Sequence, residues 1–372
     1  MGQVDMNMAL SNPDQTPNDA AEDTLDEKHR ILADVFGFSG FRPGQAEIID
    51  TLLAGDCTLA VMPTGAGKSL CFQVPALALG GLTIVVSPLL ALMQDQVSAL
   101  QLAGVRAETI NSAKDRGENV EIWRRVATGD VSILYLSPER LMTDRMLTAL
   151  AQRPISLIAV DEAHCISQWG PAFRPEYSDL SRLRDLFPGI PMVALTATAD
   201  EVTRRDIAGR LFGPDAKIFV QGFDRPNIQL AVTFKADWKQ QTLDFVDKHQ
   251  GESGIVYCLS RKKTDETAAL LQANGISALP YHAGMEKWQR DGNQDRFMRE
   301  DGIVMVATIA FGMGIDKPDV RYVLHTDLPG SMEAYYQEFG RAGRDGSPAQ
   351  ALMLYGLGDI RMRRQFIEQE GG

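Results

Sequence analysis

Leu59-Ala60-Val61-Met62-Pro63-Thr64-Gly65-Ala66-Gly67-Lys68-Ser69 decides the fold of this chain. Four apolar residues bounded by proline and glycine predict a buried strand, and the apolar run from Leu70 predicts a helix. The turn between them matches G-x-x-x-x-G-K-[ST] except that Met62 stands where the first glycine is expected. Glycines there let backbone N–H groups turn toward phosphate oxygens at a helix N-terminus. Lys68 would reach the β/γ-phosphates and the Ser69 hydroxyl would ligate Mg²⁺, with Thr64, Gly65 and Gly67 lining the loop. A Gly/Ser turn can be merely structural, but Lys-Ser between a strand and a helix favours a nucleotide loop.

The same rhythm extends outward in both directions. Short apolar runs bounded by turn residues recur at 57–62, 82–86, 133–136, 157–160 and 192–195. Between them lie stretches of helical spacing such as Leu90 to Leu102. Buried strands alternating with helices predict a parallel sheet covered on both faces. Phe223-Asp224-Arg225-Pro226-Asn227 breaks the rhythm, which then restarts with strands expected at 255–258, 278–281, 303–307, 322–325 and 351–355. Two α/β lobes are expected, 25–223 and 224–358, after a disordered acidic tail at 1–24 and before a C-terminal extension starting at 359–372.

Ninety-three residues beyond Lys68, Leu157-Ile158-Ala159-Val160 runs into Asp161-Glu162-Ala163-His164. Carboxylates at the carboxyl end of a buried parallel strand face the crevice where α/β proteins bind ligands. Asp161 is placed to hold Mg²⁺ through water, and Glu162 to polarise an attacking water as general base. An Asp-Glu pair can also simply cap the next helix. The lysine-serine loop upstream makes NTP hydrolysis the stronger reading.

Composition bounds the classes. The 372 residues, at roughly 150 per domain, predict two to three domains. The net charge of −12 argues against a protein that coats nucleic acid by bulk positive charge, although residues 1–30 alone carry −5. A narrow basic track remains open, and it implies weak, salt-sensitive binding. The four cysteines are scattered without a C-x-x-C pair, which predicts neither a zinc site nor a disulfide framework. The N-terminus lacks the basic and apolar regions of a secretory signal, and no apolar run is long enough to span a bilayer. The expected location is the cytoplasm.

Asp161-Glu162-Ala163-His164, followed by Cys165-Ile166-Ser167-Gln168-Trp169-Gly170 and Phe173-Arg174-Pro175-Glu176-Tyr177, resembles the RecQ family of superfamily 2 DNA helicases. Upstream, Phe36-Gly37-Phe38 and Phe41-Arg42-Pro43-Gly44-Gln45 resemble that family's adenine-recognition motif. The resemblance implies that Gln45 reads the adenine edge through its amide while Phe38 and Arg42 flank the base. It runs from about residue 30 to 358 with its motifs in order, and it implies two tandem RecA-like lobes, each a mostly parallel sheet with helices on both faces.

Several further roles follow from the resemblance. Trp169, Phe173 and Arg174 offer stacking and cationic groups beside the carboxylates and imply a sensor linking DNA occupancy to turnover. Here Pro171-Ala172 replaces the family's usual His-Asp. Ser87 and Arg140, in Ser87-Pro88 and Ser137-Pro138-Glu139-Arg140, resemble strand-contacting motifs, although each also suits an ordinary helix cap. Thr196-Ala197-Thr198 resembles the motif that couples hydrolysis to lobe movement. In the second lobe, Gln337-Glu338-Phe339-Gly340-Arg341-Ala342-Gly343-Arg344 places two arginines at i and i+3, which we expect on one helical face. Arg344 is the expected arginine finger, with Arg341 beside it and Gln337 on the catalytic water or loop. Thr308 is an expected DNA phosphate contact and Asp316 lies on the nucleotide side. Ser260, Arg261 and His282 would hold strand phosphates, though Arg261-Lys262-Lys263 equally suits a solvated basic turn.

The activity implied is ATP-dependent DNA unwinding with 3′→5′ translocation, using ATP and Mg²⁺ on single-stranded and tailed duplex DNA, in repair and recombination. A four-cysteine zinc module usually follows in this family, whereas this sequence stops at Gly372, so no zinc is expected in it. An RNA helicase, an ATP-gated nucleic-acid binding module and a nucleotide switch are the alternatives.

Overall fold

The computed structural model describes residues 27–167, 174–213, 216–222, 224–312 and 317–361. Its strands pair in parallel throughout and form two sheets. The first contains β1 (Thr58–Val61), β2 (Leu82–Val86), β3 (Ala107–Ile110), β4 (Ile133–Leu136), β5 (Ile155–Val160), β6 (Met192–Thr196) and β7 (Lys217–Val220), in the order β3-β4-β2-β5-β6-β1-β7. The second contains β8 (Ile228–Phe234), β9 (Gly254–Tyr257), β10 (Ala278–Tyr281), β11 (Val304–Ala307), β12 (Tyr322–His325) and β13 (Ala349–Tyr355), in the order β10-β11-β9-β12-β13-β8. Without the edge strand β7 the two orders are the same, with β8 standing where β1 stands.

Alternation within each strand explains the two-faced burial. Leu59 and Val61 join one apolar cluster, with Ile84 and Val86, while Ala60 and Met62 join another across the sheet, with Val85. In the second lobe Ile255 and Tyr257 face one cluster and Val256 and Cys258 the opposite one. Side chains alternate across a strand, so a strand buried on both faces must be apolar at every position.

The central strands fall where apolar runs predict them. β3, β7 and β8 were not expected, and each is an edge strand or its immediate extension. β3 carries Glu108 and Thr109, and β8 has Ile228 buried but its other six residues exposed. β7 and β8 are largely exposed and so lack the apolar run of a central strand, whereas β3 is buried throughout and it is Glu108 and Thr109 that interrupt its run. No helix among the described residues is long and apolar enough to cross a membrane.

Candidate nucleotide and nucleic-acid site

β1 delivers the chain into the phosphate loop, which turns on Gly65 and Gly67 at φ +83° and +78°. Met62 is not in the left-handed region, and this explains how it replaces a glycine: its side chain is buried with its sulfur 3.6 Å from Cys71 Sγ. Its carbonyl accepts from Lys68 Nζ at 3.3 Å, holding the ammonium over the loop. At φ +78° Gly67 occupies backbone that favours glycine, and a Cβ there would lie 2.6 Å from Gln45 Nε2 and displace that amide. Ser69 precedes the helix Leu70–Ala78 and its hydroxyl makes no capping bond, which fits a metal ligand.

Asp161 and Glu162 follow β5 at the same edge. Glu162 takes φ +50°, the positive-φ position among the described non-glycine residues, and its side chain caps no helix. The capping reading therefore fails here, and the strain is of the kind stored at functional sites. Asp161 Oδ1 accepts from the Glu162 N–H at 2.9 Å. Burial, and then the Glu162 carboxylate, pushes the Asp161 carboxyl well above the ordinary range, while Lys68 opposes that shift. Burial lowers Lys68, with Glu162 and Asp161 working against it and Arg344 adding to it. A polyanion with a divalent cation would satisfy both groups.

Glu162 Oε2 is buried without a hydrogen-bond partner and lies 3.3 Å from His164 Nδ1. His164 Nδ1 also meets Thr196 Oγ1 at 2.9 Å, and Thr196 donates its hydroxyl proton to the Thr198 carbonyl at 2.9 Å. His164 Nδ1 thus lies between the Glu162 carboxylate and the Thr196 hydroxyl, within reach of both. Gln337 Nε2 then reaches Thr198 Oγ1 across the lobes at 3.5 Å.

The arginines correct one expectation. The helix Met332–Phe339 ends before them, and Arg341 and Arg344 lie in the turn that follows, not on a helical face. Gly343 at φ +57° bends that turn. Arg341 is buried and donates to Tyr257 Oη. Arg344 faces the loop: a Cβ at Gly65 would meet its Cγ at 3.6 Å.

Gln45 is buried, with its Nε2 donating to the Ala66 and Gly67 carbonyls at 3.0 Å each and its Oε1 accepting from the Arg42 N–H at 2.8 Å. Arg42 donates to the Gly65 carbonyl, and Phe38 is exposed nearby in sequence. The amide therefore grips the phosphate loop in this structure. Trp169, Phe173 and Asp316 lie outside the described residues. Arg174 leans on the Ser87-Pro88 turn, its Nη1 donating to the Pro88 carbonyl at 3.4 Å.

The two Ser-Pro turns differ. Ser137 caps its helix by accepting from the Arg140 N–H at 3.3 Å, leaving the Arg140 side chain exposed. Ser87 does not cap, and its Oγ is buried without a partner among the described residues. In the second lobe Ser260, Arg261 and Thr308 line a common cavity of about 570 Å³ with Ala283 and Ile309. Ser260 Oγ accepts from the Lys263 N–H at 3.2 Å and caps the helix Arg261–Ala273. His282 corrects a second expectation: it is buried, its Nδ1 accepts from the Gly284 N–H at 3.2 Å and its Nε2 meets Asp265 at 3.0 Å. Both ring nitrogens are committed, so it shapes the turn and has none left for a phosphate.

Sequence reasoning missed His164 as a close neighbour of Glu162, and it missed Arg225. Arg225 sat in plain view inside the segment read only as a break in rhythm. Its conjunction with Pro226 and Asn227 was the available signal.

The comparisons agree with this geometry. Residues 42–206 match the DEAD/DEAH box helicase family model and residues 235–346 the helicase conserved C-terminal domain. Both lobes thus have the architecture of helicase RecA-like domains. Among solved structures, Mss116p bound to ssRNA and AMP-PNP overlays with a TM-score of 0.73 at 17% identity, covering 92% of this chain and 75% of that one. The DUF1998 helicase MrfA bound to DNA gives 0.72 at 17% identity, covering 94% and 54%. The ATP-dependent DNA helicase RecQ of Pasteurella multocida is 48% identical over 325 residues, which is 87% of this chain and 51% of that protein. The probable ATP-dependent DNA helicase RecS of Bacillus subtilis is 43% identical, covering 92% of this chain and 69% of the relative. The chain belongs to the RecQ family of helicases. It spans about half the length of the curated RecQ relatives from Pasteurella multocida and Haemophilus influenzae, at 51% and 54%.

Proposed function

We propose that this chain is the motor of an ATP-dependent DNA helicase, coupling ATP hydrolysis to 3′→5′ movement on single-stranded DNA and to duplex unwinding in repair and recombination. The observation that carries the reading is the convergence of Lys68, Asp161 and Glu162 from one lobe with Arg344 from the other on a single phosphate loop. Names of the similar proteins, several of them DNA helicases, support DNA as the substrate. Domain limits at 25–223 and 224–358 accord with the last strand of one sheet ending at Val220 and the first of the other beginning at Ile228. Function in the cytoplasm accords with such a substrate.

In this reading Gly65 and Gly67 bring the loop N–H groups to the phosphates and Lys68 neutralises them. Mg²⁺, held by Ser69 and through water by Asp161, supplies further charge neutralisation when bound. Glu162 accepts the proton of the attacking water, with His164 Nδ1, 3.3 Å from its Oε2, steadying the carboxylate. Arg344 stabilises charge on the transferring phosphoryl group, and Arg341 holds the turn that presents it. Gln337 and Thr198 report the closed state across the cleft. Arg42 and Phe38 flank the base, Gln45 offers its Oε1 to the adenine edge while its Nε2 holds the loop, and Asp316 acts on the nucleotide side. DNA phosphates run over Ser87 and Arg140 of one lobe and over the Ser260, Arg261 and Thr308 cavity of the other, while Trp169, Phe173 and Arg174 take the bases.

The test is ATPase activity with and without single-stranded DNA, followed by strand separation on duplexes with a 3′ or a 5′ tail. Stimulation by DNA over RNA and unwinding from the 3′ tail are expected. Stimulation by RNA alone, or ATPase without unwinding, would overturn the assignment.

A further inference from the structure

Arg225 belongs to neither sheet, yet it is bonded to both lobes. Its Nη1 donates to the Thr64 carbonyl of the phosphate loop at 2.7 Å and to the Gly340 carbonyl at 3.2 Å. Its Nη2 donates to the Ala342 and Gly343 carbonyls at 2.9 and 3.2 Å. A single guanidinium therefore spans from the turn before Lys68 to the turn that carries Arg341 and Arg344. The Gln337–Thr198 contact, at 3.5 Å, is longer than any of these four bonds.

The surroundings point the same way. Two residues on, Asn227 Nδ2 donates to the Gly343 and Ser347 carbonyls at 2.8 and 2.9 Å, so the linker grips the arginine turn twice. A Cβ at Gly343 would lie 2.4 Å from that nitrogen, which ties the glycine to the clamp. Pro226 biases Arg225 toward extended backbone and leaves few conformations for the guanidinium to lose on docking. A Cβ at Gly65 would sit 3.4 Å from Arg225 Nη1 and 3.6 Å from Arg344 Cγ, so both side chains pack on the loop backbone. All four acceptors are peptide carbonyls. Burial lowers the Arg225 pKa, as do Arg344 and Arg42, so the cation is held by dipoles among other cations.

We propose that Arg225 is a positioning residue for ATP hydrolysis: a strut from the linker that sets the separation between the phosphate loop and the arginine turn and so transmits lobe closure to Arg344. This rests on the nucleotide-site reading above. Hydrolysis needs the finger placed to within about 1 Å, and misplacement on that scale costs on the order of a hundredfold in rate. A guanidinium suits the task because its fork reaches carbonyls on two sides at once, which an ammonium on a flexible stem does not do.

The experiment compares the full chain with Arg225→Lys in steady-state ATPase and in small-angle X-ray scattering with and without AMP-PNP. The strut predicts a kcat lower by about tenfold or more, a KM for ATP moved by about threefold at most, and loss of nucleotide-dependent compaction. An unchanged kcat, a loss confined to KM, or compaction equal to wild type overturns it. Should Arg225→Lys not fold, as read by thermal melting, Arg225→Gln is judged by the same outcomes. Lys68→Ala runs in parallel: ATPase that survives this change sinks the nucleotide site and the strut together. Its loss beside a fully active Arg225→Lys sinks the strut alone.

Discussion

The two lobes share one strand order, and they use the same place in it in opposite ways. In the first, β1 opens into a loop that turns on Gly65 and Gly67, and Lys68 faces the Asp161-Glu162 pair after β5. In the second, the strand in the position of β1 is β8, and the residue after it is Lys235. The strand in the position of β5 is β12, soon followed by Asp327. Lys235 Nζ bonds Asp327 at 3.0 Å and Asp359 at 2.7 Å, and Lys263 bonds Asp327 at 2.7 Å. The next helix, Trp238–Asp247, is capped by Asp237, whereas Ser69 leaves its helix uncapped. One fold thus carries an open lysine–carboxylate gap in one copy and a closed ion-pair network in the other. An anion site requires that the helix N-terminus and the lysine not be satisfied internally.

Substitutions on the two sides sharpen that contrast. The largest effect belongs to Lys68→Ala, which is expected to lower DNA-stimulated phosphate release by about 10²-fold or more. Lys235→Ala, directly after the corresponding strand of the other lobe, is expected to leave kcat unchanged and to lower the melting temperature. If Lys235→Ala abolished hydrolysis, the closed-network reading of the second lobe would be wrong. Next in size is Glu162→Gln: it should depress kcat by about 10²-fold while a fluorescent ATP analogue still binds. Weakened binding with normal turnover at saturation would remove Glu162 from the general-base role.

Smaller effects concern stability. Asp327→Ala leaves Lys263 without its carboxylate and Lys235 with Asp359 alone, and should cost about 1–2 kcal/mol in urea unfolding, because two half-buried cations lose a shared partner. An unchanged midpoint would show the network to be dispensable. The smallest effect is in pH. Burial raises the Asp327 carboxyl, but Lys263 and then Lys235 outweigh it and hold the pKa below its ordinary value. A depressed carboxyl stabilises the fold above its unfolded pKa and loses that contribution as pH falls through the folded one. Wild type should therefore lose more stability than Asp327→Ala between neutral pH and the acid side of the carboxylate range. Parallel pH curves for the two would exclude Asp327 as a source of acid sensitivity.

Much of this contrast was legible before any fold was known. Leu59 to Ser69 specifies a strand, a loop and a helix through local chemistry, and the loop's glycines are found at positive φ. Asp161-Glu162 was equally legible, since an apolar strand ending in two carboxylates is a local pattern. Arg341 and Arg344 were identified as a pair, but their backbone was not: Gly340 and Gly343 end the helix at Phe339, and the i, i+3 spacing concealed that. His282 looked like a phosphate ligand because a histidine in a turn exposes no hint that Asp265, seventeen residues away, will claim it. β7 and β8 escaped because they face solvent and have no continuous apolar run, and β3 because its buried Glu108 and Thr109 break the apolar pattern.

Elements with local causes are readable residue by residue: buried strands, the glycine turn, the lysine and the paired carboxylates. The sequence also carried, motif by motif, the likeness to RecQ-family helicases. Tertiary structure alone decided which groups remain available. Lys68 and Lys235 both follow the corresponding strand, and what separates them is whether a carboxylate from a distant strand comes within bonding distance. It decided as well that Arg225 joins Thr64, 161 residues earlier, to Gly343, 118 residues later. Contacts at such separations depend on how the lobes meet, and no local pattern of residue types encodes that.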